Sequence, residues 1–227
     1  MYSALLVIIY LAFISLGLPD TLLGSAWPQM HIELNASLSS AGIITMIISM
    51  GTVISSLFSD RLNIKLGTGK VTAISVLMTA VALLGFSLSH SFIILCVLAV
   101  PYGLGAGAVD AALNNYVALH YSSKHMSWLH CFWGVGASIG PYIIGTCMAH
   151  GLGWRGGYSV ISVLQFTLTA ALFITLPLWK KVENSENNVS NGNNERTQEE
   201  PQERKAKSLS EVLHIKGVIY ILFAFFC

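Results

Sequence analysis

The stretch from Val71 to Val109 contains no Lys, Arg, Asp or Glu, and this constrains the fold more than any other feature of the chain. Only Ser89, His90 and Ser91 interrupt its apolar character. A helix that crosses a bilayer needs about 20 mostly apolar residues, so this stretch is long enough for two spans joined by a tight turn. The chain is therefore predicted to be an all-α polytopic membrane protein.

Composition excludes several other classes of protein. Hydrophobic residues make up 54% of the chain and charged residues only 10%, whereas a soluble domain is about 25% charged. This is too much apolar surface for a soluble enzyme to bury. The formal net charge of +1 also argues against nucleic-acid binding, which requires a strong basic excess. The four cysteines all lie inside apolar runs, so they indicate buried side chains rather than a disulfide scaffold.

Six apolar runs are long enough to cross a membrane. They lie near Ala4–Ala26, Ala41–Ser59, Val71–Ser89, Phe92–Leu119, Met126–Met148 and Gly156–Trp179. We predict a six-span bundle over residues 1–179. The following residues, 180–213, are rich in Asn, Glu, Gln, Ser and Lys and predict a flexible linker. Residues 214–227 predict the truncated start of a seventh span.

The distribution of Lys and Arg predicts the orientation of the chain. Basic residues follow the second, fourth and sixth spans, while the alternate loops hold only Arg155. Loops that carry the Lys and Arg excess usually face the cytoplasm. We therefore expect the N-terminus and the linker to be cytoplasmic, in a multi-pass protein of the plasma or inner membrane.

Two carboxylates fall inside predicted spans, where a charge costs at least a few kcal/mol. Asp20 follows Pro19 in the first span. One interpretation makes it a helix-end residue at a proline kink. The other makes it a hydrogen-bond acceptor that lines a cavity for a polar substrate.

Asp110 lies deep in the fourth span. It shares one helix face with Gly107 and Asn114, at spacings of three and four residues, and Asn115 is the next residue. This face is poor lipid cover and suits a cavity wall. No Lys or Arg lies within any span to pair with Asp110, and burial disfavours the charged carboxylate. We expect Asp110 to exchange a proton during transport. No cofactor or metal site is predicted.

Two motifs resemble those of the major facilitator superfamily. The first is Ser56-Leu57-Phe58-Ser59-Asp60-Arg61, followed by Lys65, Gly67 and Lys70; it resembles the loop between spans two and three that ties the halves of such transporters together. The second is Gly136-Ala137-Ser138-Ile139-Gly140-Pro141, which looks like the Gly-Pro motif of fifth spans. The resemblance implies gating roles for Asp60, Arg61, Lys70, Gly136, Gly140 and Pro141. It covers the chain as the first half of a twelve-span fold, to be completed by a missing C-terminal half or a second copy.

Within that superfamily, two segments are similar to the fucose–proton symporter family. They are Leu18-Pro19-Asp20-Thr21-Leu22 and the run from Gly103 through Asp110 to Val117. That family carries an acid in each context, and its fourth-span acid is a Glu. The resemblance implies that one acid contacts sugar and the other links sugar to proton. We assign substrate binding to Asp20, Asn114, Asn115 and Trp133, and proton coupling to Asp110.

The leading hypothesis is a proton-coupled symporter for a sugar or another small polar solute, with no enzymatic activity. The first alternative is a proton-linked exporter or antiporter of amphipathic compounds, because the Gly-Pro motif is common in antiporters. An intramembrane aspartyl protease also uses two membrane acids, but it needs Gly two residues before one Asp, where this chain has Ala108. A non-transporting receptor or a regulatory half-protein stays open.

Overall fold

A computed structural model describes residues 2–194, with side chains described from residue 5 to residue 179. Within these residues the chain forms seven α-helices and one 3₁₀ turn, Leu38–Ser40, and no strand. The helices are α1 (Tyr2–Asp20), α2 (Leu22–Glu33), α3 (Ala41–Leu66), α4 (Thr68–Leu88), α5 (Phe92–His120), α6 (Ser123–Ala149) and α7 (Gly153–Asn194). The predicted all-helical fold is confirmed.

Six helical segments are long and apolar enough to cross a membrane. They are Leu5–Glu33, Leu38–Leu66, Thr68–Leu88, Phe92–His120, Ser123–Ala149 and Gly153–Trp179. Each contains most of one run predicted from the sequence. α7 continues beyond Trp179 to Asn194, so its helix covers the first part of the predicted linker. The predicted seventh span lies outside the described residues, and the division into bundle, linker and seventh span stays a prediction.

The first span is interrupted in its middle. α1 ends at Asp20, Thr21 adopts a turn, and α2 begins at Leu22. Pro19 lies two residues before the break. Because proline has no amide hydrogen to donate and its ring crowds the preceding turn, it weakens the end of α1. Asp20 therefore ends a helix, as one interpretation expected, but it does so inside the span rather than at the end of it.

The second and third spans are joined by one residue. α3 continues to Leu66, and Gly67 closes it with a positive φ of 82° before α4 begins at Thr68. The amide of Gly67 donates to the carbonyl of Asn63 at 2.9 Å. Asp60 and Arg61 consequently lie in the last two turns of a helix, whereas the sequence placed them in a loop. The helix ends at this position because the positive φ of Gly67 is a backbone conformation that a residue without Cβ adopts readily.

Two helix pairs pack at very close range, α1 against α6 and α3 against α5. Glycines make this approach possible: Gly17, Gly136 and Gly140 in the first pair, and Gly103 and Gly107 in the second. A Cβ added at any of the five would overlap a main-chain carbonyl of the facing helix. Small residues at helix interfaces are the usual means of association in lipid, where packing replaces the hydrophobic driving force.

A polar cluster joins three elements at the end of the bundle where α2 stops. The Arg155 guanidinium contacts a carboxylate oxygen of Glu33 at 2.5 Å and donates to the Ser89 carbonyl at 3.0 Å. The Trp154 indole donates to the same Glu33 oxygen at 3.0 Å. Because the Arg155 and Glu33 side chains are 32% and 35% exposed, water weakens the pair. The cluster connects α2, the α4–α5 turn and α7.

Candidate functional site

Asp20 is held by donors from two other spans. The Tyr102 hydroxyl of α5 donates to Oδ1 at 3.2 Å, and the Trp133 indole of α6 donates to Oδ2 at 2.9 Å. Each carboxylate oxygen thus has its own aromatic donor, and charge-assisted bonds of this kind are stronger than neutral ones. Three spans that are distant in sequence converge on one carboxylate.

A cavity of about 180 Å³ opens beside this carboxylate. Its polar lining comes from Asp20, Thr45 and the two tyrosines Tyr102 and Tyr158, and the remainder is mainly apolar. Phe86 stands between the tyrosines, with ring centroids 6.4 Å from Tyr102 and 5.6 Å from Tyr158. A mostly apolar, aromatic cavity with a few convergent polar groups is the usual form of a small-molecule site.

The site is open on one side within the six-span unit. Asp20 and Thr45 are exposed, and Trp133 retains 38% of its accessible surface. Tyr102, in contrast, is only 4% exposed. The same carboxylate therefore has a buried donor behind it and an accessible donor beside it. A ligand that approaches from the open side reaches Asp20, Thr45 and Trp133 first.

Asp110 occupies a different environment. It is half-buried, and its side-chain hydrogen bond comes from within its own helix, where Asn114 Nδ2 donates to Oδ1 at 3.0 Å. The predicted shared face of Asp110 and Asn114 is confirmed by this bond. The Oδ1 atom of Asn114 is buried and accepts no hydrogen bond from the described residues. Asn115 is exposed and does not line the cavity beside Asp20.

The charges around Asp110 differ from the sequence-based expectation. His130 of α6 lies close enough to interact electrostatically with the Asp110 carboxylate, and Asp110 in turn interacts with Asp20. The six apolar runs predicted from the sequence contain no Lys or Arg. Asp110 therefore interacts with His130 and with the carboxylate of Asp20 rather than with a Lys or Arg of those runs.

The predicted gating residues fall into two places. Asp60, Arg61 and Lys70 are exposed at the end of the bundle where α3 stops and α4 begins. Gly136 and Gly140 are buried in the interface with α1. Next to them, Pro141 leaves the Ala137 carbonyl without its helical donor, and the Thr21 hydroxyl donates to that carbonyl at 2.8 Å. The α6 motif thus packs directly on the break in the first span.

Sequence reasoning did not identify Tyr102, His130 or Glu33 as functional or structural partners. Tyr102 is one of many aromatic residues in apolar runs, and nothing in its neighbours distinguishes it. The interaction of His130 with Asp110 depends on how α5 and α6 pack, which the sequence alone does not show. The ion pair had one signal in the sequence: Glu33 lies at the end of the first span and Arg155 lies at the start of the sixth.

Comparison with known proteins agrees with this architecture. A family model described as Major Facilitator Superfamily matches residues 9–227. The chain is 25% identical to an uncharacterized transporter, y4wD, of Sinorhizobium fredii, over 50% of this chain and 31% of the relative. It is 24% identical to synaptic vesicle glycoprotein 2B of Rattus norvegicus over 75% of this chain and 26% of the relative. The human form of that glycoprotein is 25% identical over 74% and 26%. The chain therefore spans between 26% and 31% of the length of these relatives.

Proposed function

This chain belongs to the major facilitator superfamily, and from this premise we propose that it forms half of a membrane transporter, a proton-coupled symporter rather than an enzyme. The solute is a sugar or another small polar molecule, carried by alternating access. In such transporters two six-span halves rock about a site near the middle of the membrane. The second half is supplied by further chain or by a second copy.

The observation that supports this proposal best is the carboxylate of Asp20 with its two aromatic donors. A carboxylate accepts hydrogen bonds from the hydroxyl groups of a polar solute, and the indole of Trp133 offers a flat apolar surface beside it. Thr45 adds a hydroxyl to the lining of the same cavity. A sugar has hydroxyl groups at its edge and an apolar ring face, which matches this pairing of groups.

Proton coupling is assigned to Asp110. Its carboxylate is half-buried, has Asn114 as its hydrogen-bond partner and interacts with His130 and Asp20. When protonated, it leaves no net charge to be buried as the cavity closes. When deprotonated, it opposes closure because a bare charge would lose its water. Asn114 and Asn115 are proposed to contact substrate because they lie close to Asp110 on the same helix.

Gating is assigned to the two motifs. Asp60, Arg61 and Lys70 are exposed at one end of the bundle, where they are accessible to the second half. We place this end, the N-terminus and the linker in the cytoplasm, in a plasma-membrane protein. Asp60→Asn is expected to slow transport several-fold while apparent substrate affinity changes less than twofold, because Asp60 lies outside the cavity. Uptake rates measured over a range of substrate concentrations separate the two effects.

The test is transport by the full-length protein that contains this chain, reconstituted in proteoliposomes. Radiolabelled hexoses and pentoses are offered with an inward proton gradient, and without one. Accumulation that requires the gradient supports symport. If no sugar accumulates, and an amphipathic cation instead leaves the vesicles as protons enter, the protein is an antiporter of amphipathic compounds and the proposal fails.

A further inference from the structure

Several of the described helices contain an internal proline, and two of these prolines, Pro19 and Pro141, belong to the α1 and α6 pair that packs around Asp20. In an α-helix the amide of residue i donates to the carbonyl of residue i−4, and proline has no amide hydrogen. Pro19 in α1 therefore frees the carbonyl of Ser15, and Pro141 in α6 frees that of Ala137. A freed carbonyl in the bilayer interior is costly unless another group donates to it.

The carbonyl freed by Pro19 receives its hydrogen bond from the sixth span. Gln165 of α7 donates through Nε2 to the Ser15 carbonyl at 2.5 Å, across 150 residues of sequence. Gln165 is 2% exposed and Ser15 is 7% exposed, so water does not compete for either. Burying a glutamine in an apolar helix costs free energy unless its side chain is hydrogen-bonded. The bond to Ser15 therefore explains how Gln165 is tolerated at this position.

The carbonyl freed by Pro141 receives its hydrogen bond from the break in the first span. Thr21 donates through Oγ1 to the Ala137 carbonyl at 2.8 Å. Thr21 is the residue between α1 and α2, directly after Asp20. Each freed carbonyl thus receives a hydrogen bond from a side chain of another span, and Ser15 and Thr21 flank Asp20 in the sequence.

Gln165 is also near the buried donor of Asp20. A void of about 10 Å³ in the bundle interior is lined by Gln165, Pro19 and Tyr102 together with apolar side chains, Ser15 and Thr79. The amide that donates to the freed Ser15 carbonyl and the tyrosine that donates to the carboxylate therefore line the same small space. A shift of the chain at Pro19 moves Asp20 relative to Tyr102.

We propose that Gln165 and Thr21 are positioning residues of the Asp20 site. By donating to the carbonyls that Pro19 and Pro141 set free, they hold the break in the first span and thereby the carboxylate between Tyr102 and Trp133. The functional meaning of this role rests on the proposed function, because it assumes that Asp20 contacts substrate. The geometry itself does not depend on which solute is carried.

The experiment measures the environment of Asp20 without a substrate. A hydrophobic carbodiimide modifies protonated carboxyl groups in membranes, and mass spectrometry of the full-length protein gives separate rates for Asp20 and Asp110. Gln165→Met removes the donor with little change in volume. We expect the ratio of the Asp20 rate to the Asp110 rate to rise about fivefold, the effect of losing roughly one net hydrogen bond.

The matched control restores the donor by another route. Pro19→Ala returns an amide hydrogen to the helix, so Gln165→Met in that background should change the ratio less than twofold.

The same design applies to the second carbonyl, that of Ala137. Thr21→Val should raise the ratio, Thr21→Ser should not, and Pro141→Ala should remove the effect of Thr21→Val. Gln165→Met in the Pro141→Ala background should keep its full effect.

Equal effects of Gln165→Met with and without Pro19 would overturn the proposal, because they would indicate a general packing defect. An unchanged ratio in folded Gln165→Met protein would overturn it as well. If Gln165→Met does not fold, the double variant Pro19→Ala/Gln165→Met is expected to fold, and its failure contradicts the account. Sugar uptake is measured separately, so a positive cycle without uptake refutes the proposed function and leaves the positioning role in place.

Discussion

The two membrane carboxylates of this chain are held in opposite ways. Asp20 lies at a helix break, where it accepts hydrogen bonds from Tyr102 of α5 and Trp133 of α6. Asp110 lies within a continuous helix and accepts its hydrogen bond from Asn114, one turn further along the same helix. The position of Asp20 therefore depends on the packing of three spans, whereas the hydrogen bond of Asp110 is formed within one helix.

This difference suits the two roles that we propose. A recognition group must be held in one geometry, because binding energy is lost when it has to be ordered on contact with substrate. A proton-coupling group must instead change its charge during each cycle and needs partners that adjust to either state. Asn114 offers both a donor and an acceptor. In the proposed function, the fixed carboxylate binds substrate and the adjustable one couples it to protons.

The largest effect is expected from Asp20→Asn. The asparagine keeps the shape of the side chain but loses the charge that both aromatic donors and a substrate hydroxyl group use. Charge-assisted hydrogen bonds contribute about 1.5–3 kcal/mol, so apparent substrate affinity should fall roughly tenfold to a hundredfold. Counterflow in proteoliposomes measures this. Unchanged affinity would remove Asp20 from the binding site.

A smaller effect is expected from Gly136→Ala, which tests whether α1–α6 packing positions Asp20. The added Cβ would overlap the Ile14 carbonyl, and overpacking of this kind costs about 1–3 kcal/mol. Thermal unfolding of the purified protein should occur at a lower temperature, and apparent substrate affinity should fall with it.

Gly134 supplies the matched control on the same helix, because a Cβ added there meets nothing within 4 Å. Gly134→Ala should leave stability and affinity close to those of the unmodified protein. Equal effects of the two substitutions would show that helix propensity or lipid contact, rather than the α1–α6 interface, governs both.

The smallest effect is expected from Tyr102→Phe. This change removes the hydroxyl that donates to Asp20 at 3.2 Å and keeps the ring. One net hydrogen bond is worth about 1 kcal/mol, so affinity should fall about fivefold while proton-driven accumulation persists. Phe86→Leu, at a neighbouring ring without a hydroxyl, is the control for the aromatic cluster. A loss of proton coupling in Tyr102→Phe would mean that Asp20, and not Asp110, carries the proton.

The spans themselves could be predicted from the sequence, because the bilayer requires long apolar helices and the charge-free stretch from Val71 to Val109 reports this directly. The Asp110–Asn114 bond could be predicted as well, since a spacing of four residues places both on one helix face. Local spacing determined both features.

The surroundings of Asp20 could not be predicted. Tyr102 and Trp133 are 82 and 113 residues away in sequence, and their contact depends on which helix faces meet. Gln165 reaches Ser15 across 150 residues for the same reason. Pro19 was a visible signal of a kink, but the identity of the group that closes it depends on tertiary packing. Gly67 likewise ends α3 after Leu66 rather than before Asp60, which only the backbone conformation reveals.

The central claim is that Asp20 binds substrate and Asp110 couples it to protons. The measurement that tests it most directly compares counterflow with proton-driven uptake in Asp110→Asn. The asparagine imitates the protonated carboxyl group permanently, so we expect substrate exchange to persist at near-normal rates and uphill accumulation to vanish. Asp20→Asn should weaken exchange and accumulation together. Proton-driven accumulation that survives in Asp110→Asn would contradict the account.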